Sequence, residues 1–445
     1  MTDRHSFVWG AATAAFQIEG ATTADGRGES IWDRFAAVEG NVAHGDTGDP
    51  ACDHYHRWQE DLDLMRSLGI EGYRFSISWP RIQATGRGPA NQRGLDFYRS
   101  LVEGLLERGI QPLATLYHWD LPQTLQDGGG WASRDVVDRF AEYAAIVYDS
   151  LGDLVPAWIT HNEPWVTSIL GYAYGVKAPG MQDWPTALRA AHHTLLAHGA
   201  AVKAFREAGH ESQIGITLDL TVAIPATDSD ADREAAGRLD GHHNRWFLDP
   251  VFRASYPEDM LAFYETRFGP LDAIQPGDLE TIAQPIDFLG INFYRPNWAS
   301  AVEDGGLDVA DVPPELEQTS MGWPIAPEYL TDLLVRVQRD YGELPLLITE
   351  NGAAFDDVLD GGDVVEDPSR VAYLREHIAA VERARTEGVD VRGYYVWSLL
   401  DNFEWEYGYE KRFGIVFVDF PTQRRIPKRS ALWYRDLIAA SNGRA

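Results

Sequence analysis

The stretch Leu346-Leu347-Ile348-Thr349-Glu350-Asn351-Gly352 places a carboxylate at the end of an apolar run. Three consecutive apolar residues after Pro345 are typical of a short strand that is buried on both faces. Asn351-Gly352 is a turn pair that would end this strand. Burying a charge at the tip of a strand costs several kcal/mol of folding free energy unless the charge is paired or has a function in a site. Taken alone, the stretch fits a functional carboxylate and a surface carboxylate at a loop start equally well.

A second stretch, Ala157-Trp158-Ile159-Thr160-His161-Asn162-Glu163-Pro164, has the same design. It is again a short apolar run that reaches a threonine and then polar residues, with Glu163 just beyond its end. Two strands that each deliver a glutamate at the C-terminal end predict a paired-carboxylate site on a repeating scaffold. The second stretch therefore favours the functional interpretation of Glu350.

Strand-like runs and helix-like patterns alternate along the chain. Besides the two runs above, the predicted strands are 7–10, 73–79, 111–116, 213–218, 286–291 and 393–397. Predicted helices follow the capping residue types Asp53, Asn91, Ser133 and Asp367, and also cover 186–208, 327–341 and the segment from Lys428. Eight strand-then-helix units predict the α/β class and a single (β/α)8 TIM barrel, with residues 1–445 as one catalytic domain.

An open doubly wound sheet is the alternative arrangement of such units. That fold would want a glycine-rich phosphate-binding loop, but Gly26-Arg27-Gly28 lacks a third glycine at the right spacing. We therefore prefer the barrel, in which active sites form at the C-terminal ends of the strands. The polar or aromatic residues near those predicted ends are Gln17, His118, Glu163, Asn292, Glu350 and Trp397.

The composition predicts a sizeable core and no membrane span. Hydrophobic residues make up 44% of the 445 residues, and no run of eighteen apolar residues occurs. The N-terminal residues lack the basic-then-apolar pattern of a signal peptide. Cys52, the single cysteine, excludes an internal disulfide and suits a reducing compartment. We therefore expect a cytoplasmic protein that does not bind membranes.

The net charge restricts the partners of the protein. With 38 basic and 68 acidic residues, the formal net charge is −30 at pH 7. A field of this sign repels phosphate backbones, so nucleic acids and anionic membranes are poor partners. Several of the 15 Trp, 19 Tyr and 18 Phe residues lie next to polar groups at strand ends, where flat rings suit a small-molecule ligand. Assembly into a homo-oligomer remains open.

Two carboxylates that face each other across a barrel mouth can divide the work of cleaving an acetal. One donates a proton to the leaving oxygen, and the other attacks the anomeric carbon. Carboxyl groups about 5 Å apart give retention and a gap of about 6.5–9.5 Å gives inversion, and the sequence leaves this distance open. Arg74, in the second strand, fits a group that keeps the attacking carboxylate ionised, with an ordinary ion pair as the alternative.

Ordered motifs along the chain resemble those of glycoside hydrolase family 1, the β-glucosidase family of retaining enzymes. They are Gln17-Ile18-Glu19-Gly20, Tyr73-Arg74-Phe75-Ser76-Ile77-Ser78-Trp79-Pro80-Arg81, His118-Trp119-Asp120-Leu121-Pro122, Asn162-Glu163-Pro164, Ile348-Thr349-Glu350-Asn351-Gly352 and Trp397-Ser398-Leu399-Leu400-Asp401-Asn402-Phe403-Glu404-Trp405. The resemblance extends from Phe7 to about Leu437. It implies double displacement on terminal β-D-glucosyl residues of cellobiose, short β-glucans or aryl β-glucosides, with β-galactosides or β-fucosides as further substrates.

The same resemblance implies a role for each site residue. Glu163 would be the acid/base and Glu350 the nucleophile. The residues implied to bind the sugar are Gln17, His118, Trp119, Asn162, Glu404 and Trp405, with Trp397 as a stacking floor. Asn292 and Tyr294 would lie beside the nucleophile, with the Tyr294 hydroxyl donating to it, and Trp323 would form an aromatic platform for the aglycone.

Two residues depart from the family pattern. His161 precedes Asn162-Glu163 where the family usually has an aromatic or aliphatic residue, and it would either shift the pKa of the acid/base or change the barrel packing. Asp219 stands near the end of the fifth strand where an asparagine is usual, which leaves the leaving-group preference open.

Glu404 indicates that the substrate is a glucoside without a phosphate group. A 6-phosphate group would face this carboxylate and be repelled. Members of the family that take 6-phosphosugars carry a serine and a basic group in this stretch, where this chain has Glu404-Trp405.

Two rival functions use the same barrel. A metal-dependent hydrolase would take its ligands from the histidines at positions 54, 56, 192, 193, 198, 242 and 243. However, His54 and His56 sit at a predicted helix start, and 192–193 lie inside a predicted helix. A catalytically silent sugar-binding barrel would be expected to lose one glutamate, and both are present. We therefore expect neither a metal nor another cofactor.

Overall fold

The computed structural model describes residues 7–443, in which eight parallel strands close into a barrel. The barrel strands are β1 (Val8–Ala12), β2 (Gly72–Ser76), β3 (Gln111–Tyr117), β4 (Ala157–Asn162), β5 (Gln213–Asp219), β6 (Phe288–Asn292), β7 (Leu346–Asn351) and β8 (Val391–Trp397). Each strand pairs with the next along the chain, and β8 pairs with β1 from Val8–Gly393 to Ala12–Trp397. The predicted (β/α)8 barrel is confirmed.

Helices follow the strands and pack outside the barrel. The longer helices are α1 (His54–Ser67), α2 (Gln92–Glu107), α3 (Asp135–Leu151), α4 (Trp184–Glu207), α5 (Asp230–Asp240), α6 (Trp246–Arg253), α7 (Glu258–Phe268), α8 (Glu328–Tyr341), α9 (Pro368–Thr386) and α10 (Arg429–Asn442). Shorter helices are Ala15–Ile18, Ile31–Ala36, Trp79–Ile82, Gln123–Asp127 and Asp278–Ile282. Within the described residues, no helix has the length and apolarity to cross a bilayer.

Loops after the strands carry further short elements. Two π-helical turns cover Val166–Ala173 and Gly241–Arg245, and 3₁₀ turns cover Ala24–Gly26, Ala43–Gly45, Gly130–Ala132 and Trp405–Tyr407. Two small sheets lie outside the barrel, one formed by Ala223–Pro225, Asn297–Ala301 and Val309–Asp311 and the other by Val416–Asp419 and Arg424–Pro427. The turn at Val166–Ala173 follows β4 directly, and the turn at Trp405–Tyr407 follows β8.

Side chains from the strands fill the barrel interior. Leu113, Ile159, Phe288 and Tyr395 belong to one buried apolar cluster, and they come from β3, β4, β6 and β8. Tyr395 needs a neighbour without a side chain, because a Cβ atom at Gly10 on β1 would lie 2.2 Å from its ring. The barrel is therefore a packed core whose polar residues gather at one end.

The strand that carries Glu350 is irregular where the glutamate stands. The pairing register between β7 and β6 shifts between Ile348 and Glu350, and the register between β7 and β8 shifts between Ile348 and Asn351. Such irregularities re-aim side chains next to active sites. Here they lie at the residues that the sequence singled out.

The starts of the seven predicted helices agree with the structure to within two residues, but α5, α6 and α7 were not predicted, and the predicted side-chain caps do not form. Asp53 precedes α1, yet its carboxylate accepts hydrogen bonds from the side chains of His56 and Arg57. Asp367 precedes α9 and binds Arg370 in the same way. Side-chain donors three or four residues further along each helix compete with the backbone N–H groups for these carboxylates, so local side-chain pairs replace the caps.

Candidate active site

Glu163 and Glu350 line the same cavity at the C-terminal end of the barrel. The cavity has a volume of about 390 Å³. Glu163 follows β4 and is 4% exposed, and Glu350 lies on β7 and is 3% exposed. The two glutamates that the sequence placed at separate strand ends are thus brought into one buried site.

Arg74 and Tyr294 hold the carboxylate of Glu350. Nη1 of Arg74 donates to Oε1 of Glu350 at 2.5 Å, and the hydroxyl of Tyr294 donates to Oε2 at 2.6 Å. Arg74 lies on β2 and is fully buried, and it also donates to the carbonyl oxygen of Thr349 at 3.1 Å. Both oxygens of Glu350 therefore face donors that favour the ionised form.

Glu163 has a different set of neighbours. Its side-chain oxygen Oε1 accepts a hydrogen bond from Nδ2 of Asn292 at 2.5 Å. Its backbone lies in the left-handed region with φ of 50°, and its N–H donates to the carbonyl oxygen of Thr217 on β5 at 2.9 Å. A left-handed backbone is uncommon for a residue other than glycine and occurs at functional sites.

Asn162 joins the surroundings of the two glutamates. Its Oδ1 accepts hydrogen bonds from Nη2 of Arg74 at 2.6 Å and from Nδ2 of Asn292 at 3.0 Å. Its Nδ2 therefore faces Nε2 of His118, at 3.1 Å. An unbroken chain of hydrogen bonds runs from Glu350 through Arg74, Asn162 and Asn292 to Glu163.

The two glutamates have unequal proton affinities. Burial raises the pKa of Glu163 well above its usual range, and the negative charges of Glu350 and Asp219 raise it further. Burial also raises the pKa of Glu350, but the charge of Arg74 and the hydrogen bonds from Tyr294 and Arg74 act against this rise. As the pH rises, Glu350 therefore ionises before Glu163.

Most of the predicted sugar-binding residues line the cavity. They are His118, Trp119, Tyr294, Trp323, Trp397, Glu404 and Trp405. Four other predicted residues lie behind that surface: Gln17, Arg74, Asn162 and Asn292 are fully buried. Gln17 fixes the loop after β8, because its Nε2 donates to Oδ1 of Asn402 at 3.0 Å and to the carbonyl oxygen of Phe403 at 2.8 Å.

Three polar atoms around the cavity have no hydrogen-bond partner among residues 7–443. They are Oε1 of Gln17, Nδ1 of His118 and Oε2 of Glu404. Buried polar atoms are normally hydrogen-bonded, so these three unpaired atoms fit a site where a polar ligand supplies the missing hydrogen bonds. Burial and the charge of Arg74 lower the pKa of His118 well below its usual range, which keeps this ring neutral.

Aromatic rings form two groups along the cavity. The rings of Trp119 and Trp405 lie with their centroids 4.5 Å apart, and the Trp397 ring is stacked near His118 at 6.0 Å. The Trp323 ring packs beside Tyr294, whose hydroxyl bonds Glu350, with ring centroids 5.3 Å apart. Flat apolar surfaces in the cavity that holds the carboxylates suit the faces of a ring-shaped ligand.

The two departures from the family pattern have different outcomes. His161 faces α3, where its ring packs on Phe140 with centroids 4.4 Å apart, and it does not line the cavity. Burial lowers the pKa of His161 well below its usual range, so it packs as a neutral ring. Asp219 does line the cavity, and its Oδ2 accepts a hydrogen bond from Nε2 of His243 at 3.0 Å.

Sequence reasoning missed several residues of the cavity. They are Trp165, Lys177, His243, Glu406 and Phe413. The position of Trp165, two residues after Glu163, was an available signal. His243 was considered only as a metal ligand, Glu406 directly follows the motif that ends at Trp405, and no motif marked Lys177 or Phe413.

The geometry does not support a metal centre. Within the described part of the chain, no three His, Cys, Asp or Glu side chains are grouped so that they could hold a metal ion. His54 donates through Nδ1 to Asp61 at 2.7 Å, and His192 donates through Nε2 to Asp278 at 2.8 Å. These histidines are parts of buried structural pairs outside the cavity.

Comparisons with known proteins agree with this geometry. The sequence profile of glycosyl hydrolase family 1 matches residues 2–443. The chain is 50% identical over 435 residues to β-glucosidase A of Acetivibrio thermocellus, with 97% of each chain covered. It is 46% identical over 462 residues to a bifunctional β-D-glucosidase/β-D-fucosidase of Bifidobacterium breve, with 98% of each covered.

A solved structure shows the same fold. The family 1 β-glucosidase of Thermotoga maritima superposes with a TM-score of 0.95 at 47% identity, and the match covers 98% of each chain. The closed barrel and the buried carboxylates at its mouth agree with these matches. The chain belongs to glycosyl hydrolase family 1.

Proposed function

We propose that the protein is a retaining β-glucosidase. It removes terminal, non-reducing β-D-glucosyl residues from cellobiose, short β-glucans and aryl β-glucosides, with β-galactosides and β-fucosides as further substrates. One observation carries the proposal: two buried glutamates in one cavity have surroundings that favour opposite protonation states. The names of the relatives from A. thermocellus and B. breve support the choice of glucosides and fucosides.

In the first step, Glu350 is the nucleophile and Glu163 is the acid. An oxygen of Glu350 forms a bond to the anomeric carbon while the bond from that carbon to the glycosidic oxygen breaks. Glu163 gives its proton to the departing oxygen, so the aglycone leaves as a neutral alcohol. Arg74 and Tyr294 fix the orientation of the attacking carboxylate.

In the second step, Glu163 acts as a base. It takes a proton from a water molecule whose oxygen bonds to the anomeric carbon, and the ester bond to Glu350 breaks. Ester formation has removed the charge of Glu350, which is one cause of the raised pKa of Glu163. The pKa of Glu163 therefore falls when the reaction needs it as a base.

The glucosyl unit would occupy the part of the cavity between Trp397 and Glu404. In this proposal Gln17, His118, Asn162, Glu404 and Trp405 hydrogen-bond the sugar hydroxyls, and Trp119 closes the wall behind Trp405. The unpaired atoms of Gln17, His118 and Glu404 support this placement. The carboxylate of Glu404 would repel a 6-phosphate, so we expect a 6-phosphoglucoside to be cleaved more slowly than the plain glucoside.

The aglycone would lie towards Trp323. Asn292 and Tyr294 hold the two glutamates by hydrogen bonds, Asn292 to Glu163 and Tyr294 to Glu350.

We further propose that residues 1–445 act as one catalytic domain without a cofactor. The single cysteine, Cys52, is buried and unpaired, which supports a reducing compartment such as the cytoplasm.

The test is release of 4-nitrophenol from its β-D-glucoside and β-D-galactoside. We expect the unmodified protein to release it and the Glu350→Gln variant to lose several powers of ten in rate. Glu343→Gln is the matched control, because Glu343 is an exposed glutamate just before β7. Proton NMR of the first glucose released should show the β anomer.

Three results would contradict the proposal. No release from either sugar would favour the silent sugar-binding barrel. Undiminished release by Glu350→Gln would mean that another group is the nucleophile. The α anomer as first product would mean inversion.

A further inference from the structure

Glu404 is placed in the cavity by a tightly bonded turn. Its backbone N–H donates to the carbonyl oxygen of Gly408 at 2.6 Å, and its carbonyl oxygen accepts from the N–H of Tyr407 at 2.9 Å. The residue is 8% exposed, and its carboxylate has no charged partner within 4 Å among residues 7–443. A buried carboxylate without a bonded cation depends on more distant charges for its ionisation.

Lys177 brings a positive charge to the same cavity. It lies after the π-helical turn that follows β4, and its ammonium group is 5.8 Å from the ring centre of Trp119. The loop fixes its backbone, because the carbonyl oxygen of Lys177 accepts from the N–H of Gly180 at 2.8 Å. Its side chain is only 12% exposed, so solvent screens this charge weakly.

Glu406 holds the ammonium group of Lys177. The two side chains form an ion pair that joins the loop after β4 to the loop after β8. Glu406 lies in the same turn as Glu404 and also lines the cavity. Lys177 and Glu406 thus place opposite charges close to a carboxylate that contacts neither of them through a hydrogen bond.

We propose that Lys177 and Glu406 form a charge pair that determines how strongly Glu404 binds the sugar. They act as positioning residues of opposite sign, and this role rests on the proposed function of Glu404 as a glucosyl-binding group. Lys177 favours the ionised carboxylate, which accepts stronger hydrogen bonds from sugar hydroxyls than a neutral carboxyl does. Glu406 limits this effect, and it also neutralises the cation that would otherwise attract an anionic sugar.

The charges around Glu404 support the proposed signs. The titratable groups that face it are Lys177, Glu406, Glu350, His118, Tyr294 and Tyr407. The pKa of Glu404 is raised to about 8: burial is the main cause, Lys177 opposes the rise, and Glu406 and Glu350 add to it. The neutral ring of His118 adds no charge. Lys177 is thus the cation that opposes the effect of burial.

The test compares Lys177→Met with Glu406→Gln. The measurement is the pH dependence of kcat/KM for 4-nitrophenyl β-D-glucoside, whose acid limb reports groups of the free enzyme that must ionise. We expect Lys177→Met to move the acid limb to higher pH and Glu406→Gln to move it to lower pH, each by roughly one pH unit. Lys177→Arg keeps the charge and should restore the unmodified profile.

A purely structural role gives a different result. Each of the two main variants breaks the same ion pair, so loss of loop packing would change both profiles in the same direction. Shifts in the same direction, or no shift in either variant, would overturn the inference. Lys203→Met is the matched control, because Lys203 pairs with Glu207 on the exposed surface of α4 and should leave the profile unchanged.

The outcome can be separated from that of the proposed function. If the unmodified protein releases no 4-nitrophenol, the proposed function fails, and this inference fails with it. If the unmodified protein is active and the opposite shifts are absent, the inference alone fails. Faster cleavage of a 6-phosphoglucoside by Glu406→Gln than by the unmodified protein would add support, because the variant leaves the cation of Lys177 unpaired.

Discussion

Glu350 is held by a cation and a phenol, whereas Glu163 is held by an amide. Arg74 and Tyr294 each donate to one oxygen of Glu350, and within residues 7–443 the side chain of Glu163 accepts only from Asn292. The two residues are almost equally buried, at 3% and 4% exposed. Burial therefore raises both pKa values, and the neighbours make them unequal.

The comparison is tested most strongly by removing the proton donor. We expect Glu163→Gln to lower kcat/KM for cellobiose by about 10²–10⁴-fold, because the sugar leaving group needs a proton. With 2,4-dinitrophenyl β-D-glucoside the leaving group departs without a proton, so formation of the glycosyl-enzyme should remain fast. Stopped-flow release of the dinitrophenol provides this internal control. Equal losses on both substrates would mean that Glu163 is not the acid.

Removing the cation tests the other half of the comparison. We expect Arg74→Met to lower kcat/KM about ten- to a hundredfold, since a hydrogen bond to a charged group is worth about 1.5–3 kcal/mol. Without Arg74 the pKa of Glu350 rises, so the acid limb of kcat/KM should move to higher pH.

Arg74→Lys is the control for Arg74→Met, because it keeps the charge but loses the fork that also reaches Asn162. Thermal unfolding of both variants separates lost stability from lost chemistry, since leaving a buried carboxylate unpaired destabilises by about 3–5 kcal/mol. An unchanged acid limb in folded Arg74→Met would show that Arg74 does not set the ionisation of Glu350.

Tyr294→Phe removes a single donor from Glu350 and keeps the ring. We expect a loss of about tenfold in kcat/KM, in line with one hydrogen bond to a charged group. Tyr256→Phe is a suitable control, because this buried tyrosine bonds His192 and does not line the cavity. Steady-state kinetics on the 4-nitrophenyl glucoside measure both. A loss as large as that of Arg74→Met would contradict the ranking of the two donors.

The smallest effect is expected at Asp219. Its negative charge raises the pKa of Glu163, so Asp219→Asn should lower that pKa. Because Glu163 must be protonated in the first step, the alkaline limb of kcat/KM should move to lower pH, by less than about one unit. His243→Gln is the companion variant, since it frees Asp219 from its hydrogen bond. An alkaline limb that moves upward in Asp219→Asn would contradict the assigned sign.

The sequence predicted those features that repeat or that stand at strand ends. The apolar runs before Glu163 and Glu350 identified β4 and β7, and alternation of runs and helical patterns identified the barrel. The starts of the predicted helices were also readable, but the loss of the caps at Asp53 and Asp367 was not, because it depends on whether each carboxylate meets the backbone or a nearby side chain in the folded helix.

The charge pair of the cavity was beyond reach of the sequence for a different reason. Lys177 and Glu406 are 229 positions apart, and no sequence pattern links residues over that distance. His161 had two expected roles, a shift of the acid/base pKa or a change of barrel packing, and its side chain packs against α3. In a strand, adjacent residues face opposite sides, so neighbours in sequence are not neighbours in the cavity.

The packed interior around Tyr395 has a consequence for the route that molecules take. Side chains fill the barrel below the glutamates, so a sugar that enters through the mouth must leave through it as well. In the proposed placement the aglycone lies nearer the mouth and leaves first, and glucose leaves last. We expect one glucosyl residue to be removed from a chain end in each binding event. Accumulated glucose should compete with the next substrate for the same cavity.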